Sequence, residues 1–176
     1  MKNFLKWGIY IAAANIVITL IDYFAGLSDA HGSSPLRWVA FVVVLGFLFW
    51  GIMEKKKEDP AEFTFGKGWV EGFLISLIGG VILSVFMYVY SDMINPEMID
   101  TIRAQSIKDM MAQKDITPEK IDGAKKAINF MVSSTGFAIS TLFMYAIGGM
   151  IFSLIFSPVV KSMGGNAAPP PESQSA

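Results

Sequence analysis

Cysteine is absent from the 176 residues. That excludes disulfides, thiolate nucleophiles, iron–sulfur ligation and a lipidated cysteine, while leaving the compartment open. Histidine occurs once, as His31, so a Ser–His–Asp arrangement has a single possible base, and no Gly-x-Ser-x-Gly elbow accompanies it. Charge is also scarce. Asp, Glu, Lys and Arg make up 16% of the chain, against about a quarter in an average soluble domain. The net charge of −1 lacks the basic field that nucleic-acid binding leaves in a sequence, so nucleic acid is not an expected partner. No catalytic, cofactor-binding or metal-ligating constellation stands out, and no cofactor is expected. Met93, Met98, Met110 and Met111 are soft thioethers that suit copper(I), but methionine is equally a flexible apolar filler.

What the sequence has in excess is apolar residues, 53% of the total, gathered into runs at about 5–27, 37–53, 68–91 and 136–160. A bilayer core about 30 Å thick needs roughly 20 apolar helical residues. Three runs meet that length, and the second, "WVAFVVVLGFLFWGIM", is shorter but uncharged. The expected fold is an all-α integral membrane protein of four transmembrane helices. The alternative, four buried helices of a soluble fold, would leave very little polar face. Residues 1–162 read as a single membrane domain. The tail 163–176, "MGGNAAPPPESQSA", is too poor in apolar residues to order itself.

Basic residues set the expected orientation. Lys2 and Lys6 precede the first run, Lys55, Lys56, Lys57 and Lys67 lie between the second and third, and Lys161 follows the fourth. The positive-inside rule then places both termini in the cytoplasm. The segment after the third run also carries Arg103, Lys108, Lys114, Lys120, Lys125 and Lys126, but its basic residues are more widely spread. Trp7, Trp38, Trp50 and Trp69 fall near run ends, at the headgroup level. The first run resembles a signal peptide at its start but continues through "NIVITLI", which favours an uncleaved anchor.

Between the third and fourth runs, residues 95–134 predict an extramembrane helical hairpin. "NPEM" offers Asn95 as a cap, Pro96 at the first helical position and Glu97 in the first turn. "TPEK" repeats the device with Thr117, Pro118 and Glu119. Ile99, Ile102, Met110 and Met98 share one face of the first arm; Ile121, Ala124, Ile128 and Met131 follow at helical spacing in the second. The second arm can run on into the fourth transmembrane helix. The mixed charges suit a solvated hairpin resting on the membrane or on itself; a partner-binding surface is the sharper alternative.

Polar and small residues inside the runs are the candidate functional positions. Gly8, Ala12, Asn15, Thr19, Asp22 and Gly26 recur at alternating four- and three-residue steps, so they face one way. Small residues let another helix approach, and Asn or Thr can hydrogen-bond across the contact. Asp22 is costly in a bilayer, but it lies near the helix end. It is either an interfacial carboxylate or, with Asn15 and Thr19, part of a proton or cation site. Glu71 lies near the opposite interface, one turn after Lys67, and is expected to pair with it.

The stretch "FGKGWVEG" at 65–72 invites a phosphate-loop reading, which its spacing refutes. Lys67 is followed by Gly68 rather than Ser or Thr, and the third glycine of a dinucleotide pattern is replaced by Glu71. Instead Gly68, Gly72, Ser76, Gly80 and Ser84 fall at four-residue intervals, a small-xxx-small packing ladder. Gly149, Ser153 and Ser157 form a shorter one in the fourth run.

Phe63, Thr64, Phe65, Gly66, Gly68 and Gly72, followed by Tyr88, Tyr90, Ile94, Asn95 and Pro96, resemble the pattern of the domain of unknown function 4199 (DUF4199) family of bacterial multi-pass membrane proteins. The resemblance covers the whole body of the chain. It implies an inner-membrane protein of Gram-negative bacteria, with no assigned catalytic residue and an accessory role in envelope or glycolipid assembly. From the residues themselves, the leading expectation is a non-enzymatic accessory or scaffold protein in the lipid bilayer, with a membrane-protein partner or a second copy of itself. The alternatives are a small oligomeric ion or solute transporter using the Asn15, Thr19 and Asp22 face, and a membrane enzyme acting on a lipid-linked substrate.

Overall fold

A computed structural model of the chain describes residues 2–27, 34–112 and 118–163, with backbone only at 118–120. His31, Thr117, Lys114, the side chains of Glu119 and Lys120, and the tail beyond Met163 lie outside the described residues. The elements are α1 (Asn3–Ala25), α2 (Leu36–Glu58), α3 (Phe65–Val89), α4 (Pro96–Met111), α5 (Pro118–Met131) and α6 (Ser134–Ser162). A single π-helical turn, Tyr90–Ile94, joins α3 to α4. No strand occurs among the described residues.

Helices α1, α2, α6 and α3 with its π turn are long and apolar enough to cross a bilayer. By length and composition the chain is therefore a multi-pass membrane protein. Helix α1 starts and ends two residues earlier than its apolar run, whereas the second, third and fourth spans are a few residues longer than theirs, because the helices continue into polar flanks. Thus α2 carries Lys55, Lys56 and Lys57 in its last turn, where cations complement the helix dipole. Large apolar side chains such as Val42, Val85, Phe143 and Ile155 point outward. This is the surface a lipid-facing bundle presents.

Helix α3 is the centre of the bundle. It packs most extensively on α6, then on α1, while α2 touches all three. The helix is antiparallel to α6 and parallel to α1. An added Cβ at Gly68 would lie 2.5 Å from Ser157 Oγ, and one at Gly80 would lie 2.7 Å from Tyr145 Cβ. A Cβ at Gly72 would run into Ser153, and one at Gly149 into Ser76. Gly68, Gly72 and Gly149 therefore each meet a serine of the other helix in regular antiparallel register, and Gly80 continues it against Tyr145. The α1 contact is made by another face of α3. Gly8 would meet Ile75 O at 3.0 Å and Ile78 Cβ at 2.8 Å, and Gly79 lies against Gly8 O and Ile11. Larger residues fill the remaining space: Ile11, Leu48, Ile52, Phe63, Ile75 and Val160 are buried together, with Phe4, Trp7 and Phe49 packed around them.

Beyond α3, Asn95 accepts a hydrogen bond from the Met98 amide and Pro96 opens α4. The expected cap is therefore in place. Ile99 and Met110 are buried, with Met98 and Ile102 half-buried beside them. On α5, Ile121, Ala124 and Ile128 are half-buried, but Met131 is exposed and departs from that face. Helix α5 does not run on into α6. Ser133 is extended and caps α6 by accepting from the Gly136 amide at 3.0 Å. Gly136 abuts the carbonyls of Phe130 and Met131 so closely that no Cβ fits. The corner depends on that glycine.

Overpacking a well-filled contact costs about 1–3 kcal/mol and occasionally more. Gly72→Leu is expected to lower the melting temperature in mild detergent markedly, because Ser153 and Ile52 already occupy the space. Gly148→Ala, where nothing stands within 4 Å, is expected to be neutral or slightly stabilising, since alanine is the better helix former. Equal melting temperatures for Gly72→Leu and the parent would show that Gly72 faces lipid.

Candidate functional site

Polar side chains converge at one end of the bundle, where α1 and α3 begin and α2 and α6 finish. Asn3, in the first turn of α1, is buried. Its Nδ2 donates to Gly51 O of α2 at 2.8 Å and to Glu71 Oε1 of α3 at 3.0 Å. The Phe4 backbone amide is a further donor to Glu71. Glu71 thus supplies an acceptor to the start of a neighbouring helix, where free N–H groups and the positive end of the dipole favour a carboxylate. The parallel packing of α1 on α3 makes this possible, since it sets their first turns side by side. The Oδ1 of Asn3 is buried without a partner.

Around this pair the other chain segments are tied together. Glu54 of α2 accepts from Lys6 and, at 2.6 Å, from Trp7 Nε1, both on α1. Lys56 donates to the Val160 and Lys161 carbonyls at 2.7 and 2.9 Å, covering acceptors that the end of α6 leaves open. Lys67 does not pair with Glu71, as the sequence spacing predicts. It binds Glu62 at 2.8 Å instead, and both remain exposed. The physical reason is desolvation. Glu71 is turned into the bundle and satisfied by amide donors, whereas a lysine ammonium at α3's first turn keeps its water by reaching toward the loop. The Lys67 ammonium holds the Glu62 carboxyl below the ordinary glutamate range. That small contribution to stability is present above glutamate's ordinary pKa and lost as pH falls through the lowered one.

The loop between α2 and α3 leaves a cleft of about 450 Å³ beside this cluster. Lys55, Asp59, Phe63, Lys67, Val70 and Glu71 line it. Lys55 is engaged by Glu58 at 2.9 Å. Among the described residues, no three His, Cys, Asp or Glu side chains gather as a metal site.

The other end is built differently. Tyr90 packs edge-on against Tyr23, with ring centroids 6.0 Å apart, and its hydroxyl accepts from Asn95 Nδ2 at 3.2 Å. Arg103 joins α4 to the corner between α5 and α6 by donating to Val132 O at 2.9 Å, and also donates to Asp100 of its own helix at 3.1 Å. A second cleft, of about 380 Å³, lies between Asp92, Asp100, Arg103, Ser133 and Ser134.

The residues singled out in the sequence fall in three places. Gly8, Ala12 and Asn15 are buried, and Asn15 donates to Ile11 O of its own helix at 2.9 Å. Thr19 and Asp22 are half-buried, and Asp22 accepts from Ser34 just before α2. Gly26 is exposed in the left-handed conformation, φ 62°, and ends α1 rather than packing. None of these six lines either cleft. Gly68, Gly72, Ser76 and Gly80 are buried, as are Gly149, Ser153 and Ser157. Ser84 is half-buried and turns back to Val81 O. Ser157 donates to Phe65 O at 2.6 Å.

Sequence reasoning passed over Asn3, Gly51 and Gly79. The signal available for Asn3 and Glu71 was that both stand in the opening turns of spans starting on the same side.

The model of a family described as "Protein of unknown function (DUF4199)" matches residues 6–162. No curated protein matches the chain, and no solved structure matches it.

Removing the Asn3 amide takes one of its two donors from the buried Glu71 carboxylate, and a buried polar group left short of a partner costs about 1–3 kcal/mol. Asn3→Ala is therefore expected to destabilise the protein clearly in detergent melts, while Lys67→Ala leaves the melting temperature nearly unchanged. The reverse order would indicate that Lys67, not Asn3, is the partner of Glu71.

Proposed function

We propose, for a chain that belongs to the DUF4199 family, a non-enzymatic role as an accessory or scaffold subunit of a bacterial inner membrane. One observation carries this reading: the antiparallel glycine-to-serine register of α3 on α6. Close backbone approach of this kind makes a rigid bundle in lipid, and Ser157, Asn3 and Glu71 beside it bond from one helix to another. Such a body suits holding a partner or a second copy in place. A role in envelope or glycolipid assembly is consistent with it.

In this reading residues 1–162 form one domain. The lysine-bearing end, with both termini, faces the cytoplasm, in line with the clustering of Lys6, Lys55, Lys56 and Lys67 there. Helices α4 and α5 then form a hairpin on the outer side and offer the contact surface. The transporter alternative draws less support, because the Asn15 amide is bonded within its own helix and the clefts lie away from Thr19 and Asp22.

Extraction at native expression into mild detergent or nanodiscs should yield a defined homo-oligomer or a complex with another membrane protein. Recovery as a lone monomer overturns the scaffold reading. Ion flux in liposomes that is abolished by Asp22→Asn would establish the transporter instead.

A further inference from the structure

Helix α5 has three faces. Ile121, Ala124 and Ile128 are half-buried, and the helix contacts α4 and α6. Asp122, Lys126 and Asn129 are exposed and polar, with Lys125 half-buried beside them. The third face holds Gly123, Ala127, Phe130 and Met131, at steps of four, three and one. That spacing sets them on one side of a helix. All four are exposed. Phe130 and Met131 each stand at 62% exposure, and an added Cβ at Gly123 would have nothing within 4 Å. This is an apolar face that no other part of the described chain covers.

Its position points to lipid. The carbonyls of Phe130 and Met131 abut Gly136, in the first turn of α6, a helix long and apolar enough to cross a bilayer. Ile139, the first exposed large apolar side chain of α6, follows Gly136 by three residues, about 4.5 Å along the helix. The bare face of α5 therefore joins the lipid-facing surface of the bundle. Met93, 75% exposed, adds an apolar side chain at this level, since its neighbour Asp92 lies 3.4 Å from Ser134 Oγ. The corner is also fit to leave water. Non-helical backbone that enters a bilayer needs internal hydrogen-bond partners. Here Phe130 O accepts from Ser133 Oγ at 2.6 Å, Val132 O accepts from Arg103 at 2.9 Å, and the Val132 amide donates to Ile128 O at 2.7 Å. We propose that the last turns of α5 lie in the membrane interface, with Ala127, Phe130 and Met131 seated in a phospholipid surface. Lys126, one turn before Phe130, meets the headgroup phosphates. An interfacial helix of this kind buries its apolar face about 5–10 Å into the boundary between headgroups and acyl chains.

The absence of cysteine lets single introduced cysteines carry a nitroxide label without background. The variants are Ala127→Cys, Phe130→Cys and Met131→Cys on the apolar face, and Asp122→Cys and Asn129→Cys on the polar one. Each full-length protein is labelled, matched to the parent's melting temperature, and reconstituted in vesicles of phosphatidylethanolamine and phosphatidylglycerol. Collisions with oxygen, which concentrates in lipid, are compared with collisions with a water-soluble nickel chelate. Labels at 127, 130 and 131 are expected to favour oxygen severalfold, and labels at 122 and 129 to favour the chelate. If all five favour the chelate, the face stands in water and the proposal is overturned. If labels at 127, 130 and 131 are shielded from both reagents, a protein surface covers the face, which overturns it equally. Ala127→Cys, a small change at an exposed position, reads the face even where replacing Phe130 or Met131 disturbs folding. The readout does not depend on oligomeric state, so failure here is distinct from failure of the scaffold reading.

Discussion

The close approach of α3 to α6 is the contact on which the rest of the bundle depends. Lipid tails are as apolar as leucine, so helices in a bilayer gain little from hiding apolar surface against each other. They gain from van der Waals contact over a long interface, and that requires small residues. Gly68, Gly72 and Gly80 on α3, with Gly149 on α6, supply it. Once α3 is fixed against α6, its next face is left for α1, where Gly8 and Gly79 repeat the solution with parallel rather than antiparallel helices. Helix α2 then closes the groove with Leu48 and Ile52. Bulk fills the space that glycine has defined.

Polar chemistry divides the bundle into unlike ends. At the lysine-bearing end, side chains from α1 and α2 cross to neighbouring helices: Asn3 to Glu71 and Gly51, Glu54 to Lys6 and Trp7, Lys56 to the last carbonyls of α6. The Lys56 bonds cover carbonyls that the end of α6 leaves open, and the others join side chains of one helix to another helix. At the other end the links are aromatic edges and single hydrogen bonds around Tyr90 and Asn95. The asymmetry follows from the chain. Among the described residues, one end has the loop between α2 and α3, whereas the other must accommodate α4, α5 and the corner at Gly136.

The four spans were legible because a bilayer demands about 20 apolar residues in succession, and hydropathy is additive along the chain. The four-residue spacing of Gly68, Gly72, Ser76 and Gly80 was legible for the same reason: a helix turns small residues at that interval to one side. Partner choice was not. Nothing in the sequence states that Gly72 meets Ser153 or that Glu71 meets Asn3, because those pairings depend on helix order and tilt. The Lys67–Glu71 expectation failed on this point, since local spacing permits an ion pair that burial then makes unfavourable. Gly26 fitted the α1 stripe by period, but a period does not reveal where the helix stops.

The place of α4 and α5 in the chain gives the α3–α6 contact a history. During synthesis α1, α2 and α3 enter the membrane first, and the α1–α3 contact can form at once. The glycine face of α3 has no mate until the two intervening helices and α6 have been made, a delay of several seconds at roughly 5–20 residues per second. For that interval Ser76 and its glycine neighbours lie open to lipid or to whatever escorts the nascent protein. Chain order thus makes α6 the last helix to be synthesised, long after the α3 face that it fills.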